Sequence, residues 1–266
     1  PGCLGVVFDY VVVKKLALGK TREEEQSIIE HLEEMRKVLI VSIVATIVAA
    51  IGCWFVADKV LAVLLNPVTS LGHDIIFIGI TEALMTKLKL SLFLGFLVAL
   101  PVILWQVWSF ILPALRKEEK KLFTLFVVIS LVTFLIGVSF AFFGVYRLGV
   151  AFLLRFAGPE LVPMLTIGNY IGFTITFMIP FGLVFQLPLA VYCLSKMGVV
   201  SHDFLKRSRK YALLVIVVIA SMVTPADILS CLLVATPMYI LYELSVWIAR
   251  LVERGKARAE GAAESA

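Results

Sequence analysis

The chain has 266 residues, 61% of them hydrophobic and 16% charged, with a mean hydropathy of +1.02. A water-soluble domain of this length is far more polar, because so apolar a surface aggregates. The formal charge of +5 is therefore read as loop charge on a membrane protein, with no nucleic-acid partner.

Residues 1–22 form an extension to which no function is assigned, and a membrane domain is expected over 23–252. Thr21 to Lys37 reads as a polar helix. Thr21 can cap it, Glu23, Glu24 and Glu25 favour its dipole, and Ile28, Ile29, Leu32, Met35 and Leu39 make one apolar stripe. Such a helix is expected to lie along a membrane surface before turning in. The first span is then Val38 to Ala57, twenty residues without a charge, which matches the ~20 needed for a ~30 Å hydrocarbon core. Asp58 and Lys59 close it, and a short apolar helix, Val60 to Leu65, meets Pro67.

The second span, Leu90 to Leu112, holds Pro101, which removes a helical hydrogen bond and bends the rod. Trp105 and Trp108 near its end are placed as interface anchors. Pro113 marks the exit, and Arg116 to Lys121 is a run of six charged residues in water. The third span is Leu122 to Tyr146. A loop with some helix follows, and the fourth span, about Tyr170 to Ser195, is kinked by Pro180 and Pro188 around Gln186. The fifth and sixth stretches, Tyr211 to Ala226 and Ile228 to Ala249, are short for a bilayer and predict local thinning. The charged, Ala/Gly-rich tail over 253–266 is expected to be disordered.

Placing the N-terminus in the cytoplasm puts nineteen Lys and Arg residues on that side and five on the other. That imbalance supports six spans with both ends inside. The expected fold is an all-α integral membrane protein with six transmembrane helices.

The chemistry is sparse. His31, His73 and His202 are scattered, the four cysteines (Cys3, Cys53, Cys193, Cys231) have no metal spacing, and no nucleophile triad or phosphate loop appears. No enzyme activity, cofactor or metal is expected. What stands out is carboxylates at cytoplasmic helix ends: Glu30, Glu33 and Glu34 before the first span, Glu118 and Glu119 after the second. Two carboxylates at a half-dehydrated rim suit paired guanidinium groups, which bond them bidentately. Charge alone also allows the plainer reading, in which Glu33 pairs with Lys37 and the loop glutamates with their own cations.

The segment His31-Leu32-Glu33-Glu34-Met35-Arg36 resembles the H-L-x-E-L-R start of the TatC family, the signal-receptor subunits of the twin-arginine protein translocase. Leu100 to Leu115, LPVILWQVWSFILPAL, is similar to that family's most recognisable stretch, with Glu119 at its loop glutamate; Phe181 to Pro188 and Thr224-Pro225-Ala226-Asp227 are similar to later motifs. The resemblance implies a concave face, cytoplasmic termini and residence in the cytoplasmic membrane. It also implies self-association, TatA- and TatB-type single-span partners, and binding of twin-arginine signal peptides on folded cargo exported by the proton-motive force. By position it implies that Glu34 and Glu119 receive the arginines, with Arg36, His31 and Phe110 shaping the site. Pro67 and Pro101 would hold helix geometry, Gln186 would face the concavity within the membrane, and Thr224, Asp227 and Cys231 would lie near a partner-binding turn.

Plainer roles stand beside these. Phe110 fits an interface anchor, Gln186 beside Pro188 fits repair of freed backbone groups, and Asp227 fits a helix cap. Gln186 stands where relatives often carry Glu, so no proton-linked role is carried over. Cys231 and Leu84 also depart from residues some relatives have. A small-solute transporter is the alternative function; it calls for paired broken helices and buried mid-membrane charges, which the spans do not display.

Overall fold

The structure, a computed structural model, describes residues 32–70, 75–111, 120–150, 164–224 and 228–264. Helix α1 spans Leu32–Cys53. It continues unbroken through Val38, so the described part of the expected surface helix is already the start of the first span. Leu32 to Lys37 are mostly strong helix formers with no Gly or Pro among them, and nothing there stops the helix. After a turn at 54–56, α2 (Ala57–Thr69) runs through Pro67. A two-residue strand β1 (Ile75–Ile76) follows, then α3 (Glu82–Ile111), which contains Pro101 and begins eight residues before the expected span. Helix α4 (Lys120–Ser139) passes into a π-helical segment, Phe140–Tyr146, within a span that ends at Val150.

Strand β2 (Leu165–Thr166) pairs in parallel with β1, Ile75 opposite Leu165 and Ile76 opposite Thr166. The fourth span is broken as expected: α5 (Ile167–Val184) and α6 (Leu187–Met197) meet at Phe185 and Gln186, with Pro188 in the first turn of α6. A proline in that position loses no helical bond, so the break costs little. Helix α7 (His202–Arg207) is a short helix in the connecting loop, capped by the Ser201 side chain, and α8 (Arg209–Val223) has only 15 residues, ~22 Å of rise. The fifth helix is thus as short as its sequence suggests.

Helix α9 (Ile228–Glu264) is not short: it has 37 residues. Glu243, near the end of the expected apolar stretch, does not stop it because Arg209 of α8 pairs with that carboxylate. The helix also continues through the tail expected to be disordered over 253–266, as far as Glu264. Extending an existing helix needs no new nucleus, and the tail is rich in Ala, Glu, Lys and Arg, all good helix formers. Its start is tied back to the bundle: Glu253 accepts the His202 backbone N–H at 2.8 Å, and Lys256 donates to the Ser195 carbonyl at 3.0 Å.

Among the described residues five helical segments are long and apolar enough to cross a membrane, and α8 is the sixth, shorter element. The core lies between α4, α5 and the π segment, where Phe134, Tyr146, Phe177 and Phe181 are each at most 3% exposed. Tyr146 and Phe177 sit 5.5 Å apart, Phe177 and Phe181 5.4 Å, in edge-on and stacked pairs. Gly182 is required here: a Cβ would fall 2.5 Å from the Phe134 ring. The Tyr170 hydroxyl donates to the Leu64 carbonyl at 2.9 Å and so fastens α2 to α5. Large apolar side chains cover the outside, as lipid-facing surfaces do.

Helix α1 is the exception to this packing, since none of its residues is fully buried. It comes close to α3 where a Cβ on Gly95 would lie 2.5 Å from the Ala50 nitrogen. Small residues at such crossings let two membrane helices meet backbone to backbone. The far end of α1 is held by Lys87, which lies 2.8 Å from Asp58 and 5.1 Å from the Trp54 ring centre.

Candidate functional site

The first turns of α1 present Glu33, Glu34, Arg36 and Lys37 to solvent around a shallow hollow of about 440 Å³ whose floor is Ile40 and Val41. Both carboxylates are exposed, as is every residue from Leu32 to Lys37. Neither Glu33 nor Glu34 makes an ion pair among the described residues. The internal Glu33–Lys37 pairing that charge alone allowed is therefore not formed, and both acids face outward. Phe110 lies one residue from the end of α3 and is half-buried. His31 and Glu119, the other two residues expected here, lie outside the described residues, as does Asp227.

Next to this tip, a long apolar groove of about 740 Å³ opens between α1, α3 and α5. Leu39, Ile43 and Ile47 form one wall, Phe93 and Phe96 the second, and Ile175 and Ile179 the third. The groove lies beside the close approach of α1 and α3 at Gly95.

Gln186 does not line that groove among the described residues. Its amide turns the other way, onto α4. The Ser130 hydroxyl donates to Gln186 Oε1 at 2.6 Å, and Gln186 Nε2 donates to the Ser130 carbonyl at 2.8 Å. Trp108 Nε1 donates to the same Ser130 hydroxyl at 3.0 Å. Placing Trp108 at the membrane interface is thus corrected: the ring is 4% exposed and packs edge-on against Phe126 at 4.6 Å. An indole N–H is buried only where it finds an acceptor, and Ser130 is that acceptor. Trp105, 46% exposed and edge-on to Phe123, remains on the outside. The chain of bonds joins α3, α4 and the α5–α6 break at one point.

Pro67 and Pro101 sit inside α2 and α3 respectively. Thr224 ends α8: it is 8% exposed, and its hydroxyl donates to the Ala220 carbonyl at 2.9 Å. Cys231 is partly buried on the first turn of α9, against the main core.

Sequence reasoning passed over Glu82. Its Oε2 accepts the Ile78 N–H at 2.8 Å and the Gly79 N–H at 3.4 Å, while Oε1 accepts the Gly168 N–H at 2.8 Å. One carboxylate thus clamps the loop before α3 to the first turn of α5, beside the β1–β2 pair. The signal that could have found it is an acid at a helix start three residues after a glycine turn; its second partner, 86 residues away, has no trace in sequence spacing.

Comparison with known proteins agrees with this arrangement. The family model described as Sec-independent protein translocase protein (TatC) matches residues 30–237. The Sec-independent protein translocase protein TatC of Carboxydothermus hydrogenoformans is 45% identical over 232 residues, covering 87% of this chain and 96% of the relative. That of Aquifex aeolicus is 36% identical over 231 residues, covering 85% and 96%. A crystal structure of the twin-arginine translocase receptor TatC superposes with a TM-score of 0.78 at 35% identity, over 84% of this chain and 99% of that one. With the family model matched over residues 30–237 and a relative 45% identical across 87% of the chain's length, this multi-pass membrane chain belongs to the TatC family of Sec-independent protein translocase components.

Proposed function

We propose that this chain is the receptor core of a twin-arginine translocase, and that Glu34 and Glu119 clasp the paired arginines of signal peptides carried by folded cargo. The observation that supports this most is the free acidic tip of α1: Glu33 and Glu34 are exposed and without ion partners among the described residues. A carboxylate with no internal cation is available to an external one. Arginine suits it better than lysine, because its planar fork bonds both oxygens at once. In this reading Arg36, His31 and Phe110 shape the site.

In this reading both termini lie in the cytoplasm of a cell whose inner membrane holds the protein. TatA- and TatB-type single-span subunits dock near Thr224, Asp227 and Cys231, and copies of the chain associate with one another. Transport draws on the proton-motive force. Gln186 serves as a structural pin rather than a proton carrier, since an amide does not ionise. Pro67 and Pro101 fix helix shape.

The test is photocrosslinking from position 119 to a signal peptide in membranes containing the full chain. An Arg-Arg peptide is expected to crosslink and a Lys-Lys peptide to do so much less. Glu34→Ala should abolish the Arg-Arg product without reducing membrane insertion. Equal labelling by both peptides, or an unchanged product in Glu34→Ala, refutes the clasp.

A further inference from the structure

Two lysines stand near the Glu82 end of α3, two residues apart and so on different faces of the helix. Lys87 is engaged by Asp58 and Trp54. Lys89 is exposed, and no carboxylate lies within ion-pair distance of it among the described residues. Its side chain borders two spaces at once. One is the apolar groove between α1, α3 and α5. The other is a polar hollow of about 380 Å³ walled by Thr86, Thr166, Gly168 and Asn169, with Glu82 beside them.

A cation at the junction of an apolar slot and a polar hollow has the polarity pattern of an amphiphile with a negative head. We infer that this site holds an anionic phospholipid, one acyl chain in the groove, the phosphate on Lys89, and the headgroup in the hollow beside Asn169. Depth agrees. Lys89 lies seven residues inside the Glu82 end of α3, ~10 Å along the axis, which is the level of the glycerol-phosphate when a helix of this length spans the ~40–45 Å of core and headgroups. From Lys89 to Ile103, the last α3 residue lining the groove, the rise is ~21 Å. That accommodates the ~15 Å of hydrocarbon in one leaflet. Among the described residues Glu82 is the one acid on the hollow, and its oxygens already accept the N–H groups of Ile78, Gly79 and Gly168. An apolar peptide in the same groove would leave the lysine without an anion.

The site is independent of arginine recognition at the opposite end of α1. The test uses the full chain reconstituted in nanodiscs of equal phosphatidylglycerol and phosphatidylcholine, then extracted gently for native mass spectrometry. The wild-type chain is expected to retain one phospholipid, with phosphatidylglycerol favoured by about fivefold, the effect of one lysine on an anionic headgroup. Lys89→Gln should retain lipid without the preference. Gly172→Phe should retain none, because a Cβ at Gly172 meets no atom within 4 Å and the ring enters the groove. Lys59→Gln should retain lipid with the wild-type preference. Lipid retained at the bulk ratio, or a preference that survives Lys89→Gln, overturns the inference as annular lipid only. So does a crosslinker at Thr176 that captures a twin-arginine peptide in place of an acyl chain.

Discussion

Replacing Ser130 by Ala should loosen three helices at one stroke. The Ser130 hydroxyl is fully buried, accepts the Trp108 indole N–H and donates to Gln186 Oε1. The substitution removes both bonds and leaves a buried donor and a buried acceptor facing the space. Hydrogen bonds between membrane helices average about 0.6 kcal/mol and reach about 1.7; stranding a buried polar group costs about 1–3 kcal/mol. The Gln186 Nε2 bond to the Ser130 carbonyl survives, so the sum stays near the middle of that range, at about 2 kcal/mol. Trp108→Phe removes the donor as well as the bond, so it should cost less at this contact. The assay is a double-mutant cycle of Ser130→Ala and Trp108→Phe by reversible unfolding in lipid–detergent mixtures. A coupling of about 0.6–1.7 kcal/mol is expected. Additivity to within about 0.3 kcal/mol would show that the two groups do not act together and would refute the reasoning.

Two further outcomes follow from the packing. Gly95→Leu forces α1 away from α3, because even a Cβ there would sit 2.5 Å from the Ala50 nitrogen; spin labels at Thr46 and Thr176 should report a wider groove, and an unchanged distance would contradict the backbone approach at Gly95. Glu82→Ala should speed hydrogen exchange at the Gly168 and Ile78 amides, which lose their acceptor, while Glu82→Gln, which keeps an acceptor oxygen, should slow that loss; equal exchange in all three proteins would remove the clamp.

The spans were legible because each is a long uncharged run, and the break at Gln186 because Pro188 marks it. The shortness of α8 was also plain, since Asp227 bounds a sixteen-residue run. Other features were not. Trp108 and Trp105 look alike in sequence, and only the position of Ser130, 22 residues on, turns one inward. Glu243 stood as a lone charge near the far end of the sixth stretch because its neutralising partner, Arg209, is 34 residues away. The tail looked unstructured by composition, yet it inherits a helix already nucleated in the membrane. At the acidic tip, sequence picked out Glu34, but its freedom from internal pairing is a property of the folded surface alone.

The π segment at Phe140–Tyr146 has a consequence for how this chain tolerates change in length. A π turn carries more residues than the α turn it replaces, as though one residue had been added to the rod without lengthening the connection. Excising a residue such as Gly144 should therefore leave the backbone able to rewind as regular α-helix. It would also rotate Tyr146 off Tyr170, Phe173 and Phe177, which it now touches together. The surplus residue thus sets the angular phase of the third span against the fourth, and a deletion there would be felt as a turned face rather than a broken helix.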